Sequence, residues 1–552
     1  MTTLRRLAGS SPSPSPRLLS RLRSAAASGL LTRQYSTKKG GDGIGLRNGG
    51  SSSAPRPGFV DPSSWRCFDS RAVGIPQNAI PHHAWTILKT LRLKGFDAYL
   101  VGGCVRDLLL KRIPKDFDVI TTASLKQIKK MMKHCVIIGR RFPICQIKMH
   151  ESTIEVSSFS TNDTDMNGSE EVDCSEGANS YNDGNILRRN SMKRDFTINS
   201  LFFNPMNYRI YDYVNGVSDM RKNKVCTVIP AHVSFKEDPA RILRGLRIAA
   251  RLGFQFSSET SKAIRDLSSS IMTIPKARLM MEMNYMLSYG AAESTVRLLR
   301  KYGLLDILLP FQAAYLSDQM KGRSSDRDLM LMKLFANLDK LLSADRPCHR
   351  SLWLALLAFH SALINSPQDA QVVRAFAALL HFGTWESTMN FLEQDVGVRA
   401  PFVPETLGPS QTKLDNLMEQ ISHLASLVNS SVQTLTCLDA LQQSVARHWE
   451  PSQFSGVVFV SKTEGGRLLR IFEGLDSDLT SYDRRRGMRQ IDYRRLKDWH
   501  PSEVRFVLGK VILDTMNDGL PCASTEDTAI TRTPSRNLAD GIRPELSTLF
   551  QS

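Results

Sequence analysis

The chain has 552 residues, a formal charge of +18 and 41% hydrophobic residues. That length supports several domains with cores of their own, and the cationic excess favours a polyanionic partner such as nucleic acid. The cysteines form no Cys-x-x-Cys pair, which excludes a zinc or disulfide framework, and the longest apolar run, Leu352 to Pro367, is too short and too interrupted to span a membrane.

The first 36 residues read as an organelle transit peptide. Arg5, Arg6, Arg17, Arg21, Arg23, Arg33, Lys38 and Lys39 all precede the first acidic residue, Asp42, amid Ser, Ala and Leu. Arg33-Gln-Tyr-Ser-Thr37 resembles a mitochondrial processing site. The mitochondrion is therefore the expected destination, with the chloroplast as the alternative. Residues 37–74 read as a flexible linker, and folded sequence is expected from residue 75 with a helix over Trp85 to Leu93.

A strand over Ala98 to Val101 leads into a Gly102-Gly103 turn and a helix from Cys104 to Lys111. A second strand opens on Asp116-Phe-Asp118. Alternation puts Asp116 and Asp118 on one face, where two carboxylates repel unless a divalent metal with hard oxygen ligands lies between them. The glycine turn lets backbone approach a phosphate, and Arg106 can pair with one. A basic helix follows from Ser124 to His134, with Ser124 as N-cap. Strands are expected at 135–138, 144–149 and 153–159. Glu155, in the last of these, is either a third metal carboxylate or a solvent-facing residue on an edge strand.

Residues 161–187 are acidic and without hydrophobic period, and read as a disordered loop. An apolar helix-then-strand segment, Asp195 to Phe203, and two further strands complete an α/β head over residues 75–230. Beyond it the pattern is helical: a neck over 231–310 and a body and tail over 311–519. In the neck, Asp238 serves as N-cap of a helix that places Arg244, Arg247 and Arg251 on one face. Helices are expected in the body at 329–342, 352–363, 371–380, 412–427 and 432–449. Residues 465–510 interleave arginines with aromatics, so that Arg484, Arg485 and Arg486 can pair with RNA phosphates while Tyr482 and Tyr493 stack on bases. A disordered tail is expected over 520–552.

Three motifs occur in order: Leu100-Val-Gly-Gly-Cys-Val-Arg-Asp107 with Asp116-Phe-Asp118, Lys193-Arg-Asp-Phe-Thr-Ile-Asn-Ser200, and Glu237-Asp-Pro-Ala-Arg-Ile-Leu-Arg-Gly-Leu-Arg247. Together they resemble the class II nucleotidyltransferases, the bacterial-type poly(A) polymerases and tRNA CCA-adding enzymes. The resemblance covers roughly residues 80 to 310. It implies an α+β fold with a polymerase-β-like nucleotidyltransferase head followed by an all-helical neck, body and tail. It also implies two Mg²⁺ ions on Asp116 and Asp118, with Mn²⁺ able to substitute, and ATP as substrate.

By the same resemblance Gly102, Gly103 and Arg106 contact the triphosphate or ribose, Arg194 and Asp195 lie at the nucleotide, Asp238 and Arg241 read the base edge, and Arg244 and Arg247 support it. The expected activity is template-independent addition of AMP to RNA 3′ ends of mRNA, rRNA or tRNA, with pyrophosphate release. Pro114-Lys-Asp-Phe-Asp-Val-Ile-Thr121 and the long C-terminal region lean toward the poly(A) polymerase branch. CCA addition to tRNA is the alternative, and an RNA-binding protein that has lost catalysis is the alternative from another class.

Overall fold

The structure, a computed structural model, describes residues 65–517 except 140–142, 150–151, 163–179, 322–324, 394–401, 408–413, 438, 440–459, 477 and 488–489. The expected transit peptide, most of the linker, the middle of the acidic loop and the 520–552 tail lie outside the described residues.

Short runs of β-branched and aromatic residues make the strands of the head. They are β1 (Arg66–Asp69), β2 (Ala98–Val101), β3 (Asp118–Thr121), β4 (Cys135–Ile138), β5 (Ile144–Met149), β6 (Ser152–Ser158), β7 (Phe202–Asn204) and β8 (Arg209–Asp212). They form one sheet in the order β1-β8-β7-β2-β3-β6-β5-β4. Every neighbouring pair is antiparallel except β3 and β6, which run parallel. The period of two divides the side chains of β2 between two cores. Leu100 joins the main core, while Tyr99 and Val101 join a second one with Ile120, Phe202 and Leu187.

Five helices belong to the head: α1 (His82–Leu93), α2 (Gly103–Leu109), α3 (Leu125–Met131), α4 (Ser180–Met192) and α5 (Gly216–Arg221). Ser124 caps α3 in a reciprocal box with Gln127, as its position suggests. Two boundaries differ from the sequence reading. The folded head begins before residue 75, because β1 pairs with β8 from Arg66 opposite Asp212. Residues 180–187 are helical rather than part of a disordered loop. Leu187 on α4 is 3% exposed in the second core, and that burial orders a helix whose polar N-terminal half shows no apolar period.

The helices that follow are α6 (Ala231–Glu237), α7 (Ala240–Leu252), α8 (Ser258–Asp266), α9 (Lys276–Leu287), α10 (Ala292–Lys301), α11 (Leu305–Leu308) and α12 (Pro310–Gln319). Beyond them come α13 (Met330–Leu341), α14 (Ser351–Asn365), α15 (Ala370–Phe382), α16 (Trp385–Glu393), α17 (Leu414–Thr436), α18 (Lys462–Phe472), α19 (Tyr493–Lys497) and α20 (Pro501–Asn517). The apolar run near residue 352 is α14, buried from Ser351 to Leu363 as a core helix. Among the described residues no helix is long and apolar enough to cross a membrane. The helix break expected between Leu427 and Val432 is absent. Ile421, Leu424, Val428 and Val432 recur at helical spacing and are all fully buried, so α17 continues through the polar Asn429 to Ser431.

Candidate active site

The site starts where β2 ends. Gly102 has φ +80°, a left-handed conformation that side-chain-bearing residues rarely adopt, and it turns the chain directly into α2. Arg106 on α2 is buried. Its Nε and Nη2 donate to Asp107 Oδ1 at 2.9 and 2.7 Å, and its Nη1 donates to Asn199 Oδ1 at 2.6 Å. These bonds hold the guanidinium flat at the rim of a cavity.

Asp118 is the first residue of β3, and Asp116 lies two residues before it. The parallel pairing of β3 with β6 sets Asp118 directly opposite Glu155. Glu155 is exposed, as one sequence reading held, but β6 lies inside the sheet rather than at its edge and sets Glu155 beside the aspartates. Burial, then Glu155, then Asp116 push the Asp118 carboxyl up to about 6. Burial and Asp116 raise Glu155 as well. Three carboxylates thus press on one another across two strands.

One cavity of about 510 Å³ is lined by Asp116, Asp118 and Glu155 together with Arg106, Lys115 and Asn199. Its opposite wall comes from α7 and α9, through Arg244, Arg247, Arg251 and Tyr285. The carboxylates belong to the head and most of the cations to the neck. α7 lies close to the head because Gly245 has no side chain. A Cβ there would come within 2.8 Å of the Phe196 ring, which packs into the gap. Phe196 directly follows Asp195, so this packing places Asp195 Oδ2 2.9 Å from Arg244 Nη2. Burial works to raise the Asp195 carboxyl, but Arg244, the Phe196 N–H and Asn199 outweigh it and leave it below its usual value.

The predicted residues Gly103, Arg106, Asp116, Asp118, Glu155, Arg244 and Arg247 all line the cavity. Gly102, Arg194 and Asp195 stand just behind it: a Cβ on Gly102 would lie 3.4 Å from Arg194 Nη1 and 3.9 Å from Asp118 Oδ2. Asp238 and Arg241 are not in its lining. Asp238 accepts from the Ala240 N–H at 3.2 Å and from Arg278 Nη2 at 2.9 Å, while Arg241 Nη1 donates to Ser234 and Glu237.

Sequence reading missed Asn199, Lys115, Arg278 and Tyr285 as members or neighbours of the site. Asn199 and Lys115 sit inside motifs already marked, so proximity in sequence was an available signal. Arg278 and Tyr285 arrive only through the packing of α9.

Two of the five residues expected to bind RNA near the C-terminus, Tyr482 and Arg486, are internal. Tyr482 is 6% exposed, packed in the main core. Arg486 is an internal cation, with its side chain 7% exposed and its Nε 2.9 Å from the fully buried Glu503. Tyr493 donates to the Leu341 carbonyl. Arg484 and Arg485 are exposed, and Arg485 pairs with its neighbour Asp483. Packing accounts for the buried Tyr482 and Arg486.

Among the described residues no group of three or more His, Cys, Asp or Glu forms a ready metal cluster. Mg²⁺ is commonly held by one or two carboxylates plus substrate phosphates, so a pair suffices. Burial first, and then the neighbouring carboxylates, raise Asp118 and Glu155, and a bound cation would relieve the second of these.

Residues 98–226 match the poly A polymerase head domain, and residues 253–316 match a segment described as a probable RNA and SrmB-binding site of polymerase A. Poly(A) polymerase I of Haemophilus influenzae is 36% identical over 246 residues, covering 43% of this chain and 53% of that protein. Poly(A) polymerase I of Escherichia coli is 30% identical over 341 residues, covering 60% of this chain and 70% of that protein. A CCA-adding enzyme of Staphylococcus epidermidis is 26% identical over 286 residues, covering 52% and 62%. The first of these alignments thus spans about half of its relative. The chain belongs to the nucleotidyltransferase family of the bacterial poly(A) polymerases and CCA-adding enzymes.

Proposed function

We propose that this protein adds AMP from ATP to RNA 3′ ends without a template. The observation that carries the reading is a single cavity that sets three carboxylates of the head against the arginines of α7. In the reaction the RNA 3′-oxygen bonds to the α-phosphorus of ATP as the bond to the β-phosphate bridging oxygen breaks, and the hydroxyl proton and pyrophosphate leave. Asp116 and Asp118, with Glu155 beside them, would hold Mg²⁺, which supplies Lewis-acid stabilisation of the phosphoryl oxygens.

The chain's own residues do the rest. Arg106, Arg244, Arg247 and Arg251 offer guanidinium forks to the triphosphate, and guanidinium matches phosphate geometry well. Asn199 and Asp107 fix the plane of the Arg106 fork, and Asp195 and Glu282 orient Arg244 and Arg247. Such prior orientation is what positioning catalysis requires. A poly(A) polymerase I at 36% identity over 246 residues, against a CCA-adding enzyme at 31% over 202, supports AMP addition as the first reading.

The test offers ATP, CTP or both, with Mg²⁺, to an unstructured oligonucleotide and to a tRNA lacking its CCA end. The expected outcome is a ladder of A on the oligonucleotide. Addition that stops after C, C and A, and only on the tRNA, would replace this reading with CCA addition.

Organelle import rests on the cationic, acid-free run before Asp42. Fusing residues 1–41 to a fluorescent reporter should carry it into mitochondria; a diffuse or plastid signal would overturn that destination.

A further inference from the structure

We infer that Lys115 is a positioning residue for the catalytic carboxylates, held at a set distance from Asp116 by an aromatic cage that the neck supplies; this rests on the metal-dependent reading above. Lys115 Nζ is 3.2 Å from Asp116 Oδ2. It also lies 5.0 Å from the ring centre of Tyr285 and 5.1 Å from that of Tyr289. Tyr285 lies in the last turn of α9 and Tyr289 two residues past its end, and their ring centres are 5.5 Å apart. Tyr285 is itself fixed. The Arg247 guanidinium stands 5.3 Å from its ring and is tied to the nearly buried Glu282 at 3.1 Å.

One ammonium is therefore shared between a carboxylate of the head and two rings of the neck. A partly desolvated cation–π contact and a half-exposed ion pair are of comparable strength, so neither side captures the ammonium outright. Asp116, with its side chain 62% exposed, stays open to a second cation. The cage keeps Lys115 near enough to offset repulsion among Asp116, Asp118 and Glu155, and far enough to be displaced from Asp116.

Two opposite consequences follow. Without the ammonium, the carboxylates gain net negative charge and bind a divalent cation more tightly. Without the rings, the ammonium settles on Asp116 and competes with the cation.

The experiment is a Mn²⁺ titration of the whole protein without nucleotide, with free Mn²⁺ read by electron paramagnetic resonance and folding checked by thermal melts. Lys115→Met should lower the Mn²⁺ midpoint by roughly three- to tenfold, and the double change Tyr285→Leu with Tyr289→Leu should raise it by a similar factor. The corresponding double Phe change keeps both rings and should stay within about twofold of the unmodified protein.

Asp116→Ala separates the two readings. If it abolishes Mn²⁺ binding while the Lys115 and Leu variants shift together or not at all, the cage inference is overturned and the metal site stands. A Phe variant that behaves like the Leu variant would also overturn it. If Asp116→Ala leaves Mn²⁺ binding unchanged, the metal assignment fails and the Lys115 inference falls with it.

Discussion

Two arginine-rich stretches of this chain do different work. On α7, Arg244, Arg247 and Arg251 line the cavity, and Arg244 and Arg247 are oriented from behind by Asp195 and Glu282. Near the C-terminus, Arg486 is sealed between Glu503 and the Phe506 ring, 4.1 Å from its centre, and Arg505 spends its guanidinium on the carbonyls of Ile471 and Arg470. Composition does not distinguish the two. What distinguishes them is whether a face of the guanidinium still looks into an open, phosphate-sized space.

The largest expected effect lies at the carboxylates. Asp118→Asn removes one of the charges that a metal and triphosphate would use, and transfer should fall at least about a thousandfold, ~4 kcal/mol in the barrier. The same change relieves repulsion with Glu155 and Asp116, so the melting temperature should hold or rise. Single-turnover AMP transfer and a thermal melt check both halves. A variant that melts early as well as failing to react would make Asp118 a structural residue, like Arg486.

Arg486→Ala should do the reverse. It leaves Glu503 buried without its guanidinium partner, and breaking such a pair costs about 3–5 kcal/mol. Urea unfolding should show that loss, while RNA affinity measured on the surviving folded fraction stays unchanged. A selective loss of RNA binding would restore the RNA role that the sequence suggested for this segment.

Much of the catalytic half could be read from sequence because its residues lie within short local motifs. Gly102, Arg106, Asp116 and Asp118 fall within seventeen residues, although β3 begins only at Asp118, so Asp116 stands on the segment that enters the strand rather than on the alternating strand the sequence suggested. The place of Glu155 depended on strand order, which is set by non-local pairing of β3 with β6 and has no local signature. Arg278, Tyr285 and Tyr289 depended on how α9 packs. The C-terminal segment misled for a related reason. Alternating arginine and aromatic residues suit a stacking surface and a buried cation–π contact equally well, and only the partners Glu503 and Phe506, contributed by α20, decide between them.

A smaller effect sharpens the contrast within α7. Arg247 is 29% exposed at its side chain and keeps an open side toward the cavity. Arg247→Gln can still donate to Glu282 but no longer carries charge. The KM for ATP should rise about tenfold, ~1.4 kcal/mol, with a smaller fall in melting temperature than Arg486→Ala gives. An unchanged KM would place Arg247 with the structural arginines and leave Arg244 and Arg251 as the cationic wall.

A further contrast concerns a buried carboxylate met by backbone N–H groups in place of a guanidinium. Asp339 on α13 accepts from the Ala292 and Glu293 N–H groups at 2.8 and 2.9 Å, at the start of α10. Burial pushes its carboxyl up to about 7, even though both N–H groups favour the ionised form. Because the folded value lies above the unfolded one, near 3.9 for a free aspartate, the folded state holds the extra proton between roughly pH 4 and 7. Its contribution to stability is therefore full below pH 4 and is lost as pH rises through 7. Urea unfolding across that window should show this decline superposed on the rest of the titration. Asp339→Asn should flatten the decline while lowering stability throughout, since an amide offers one acceptor oxygen to two donors. An Asn variant with the same pH slope would mean that the two N–H groups of α10 keep this carboxylate ionised and that the decline arises elsewhere.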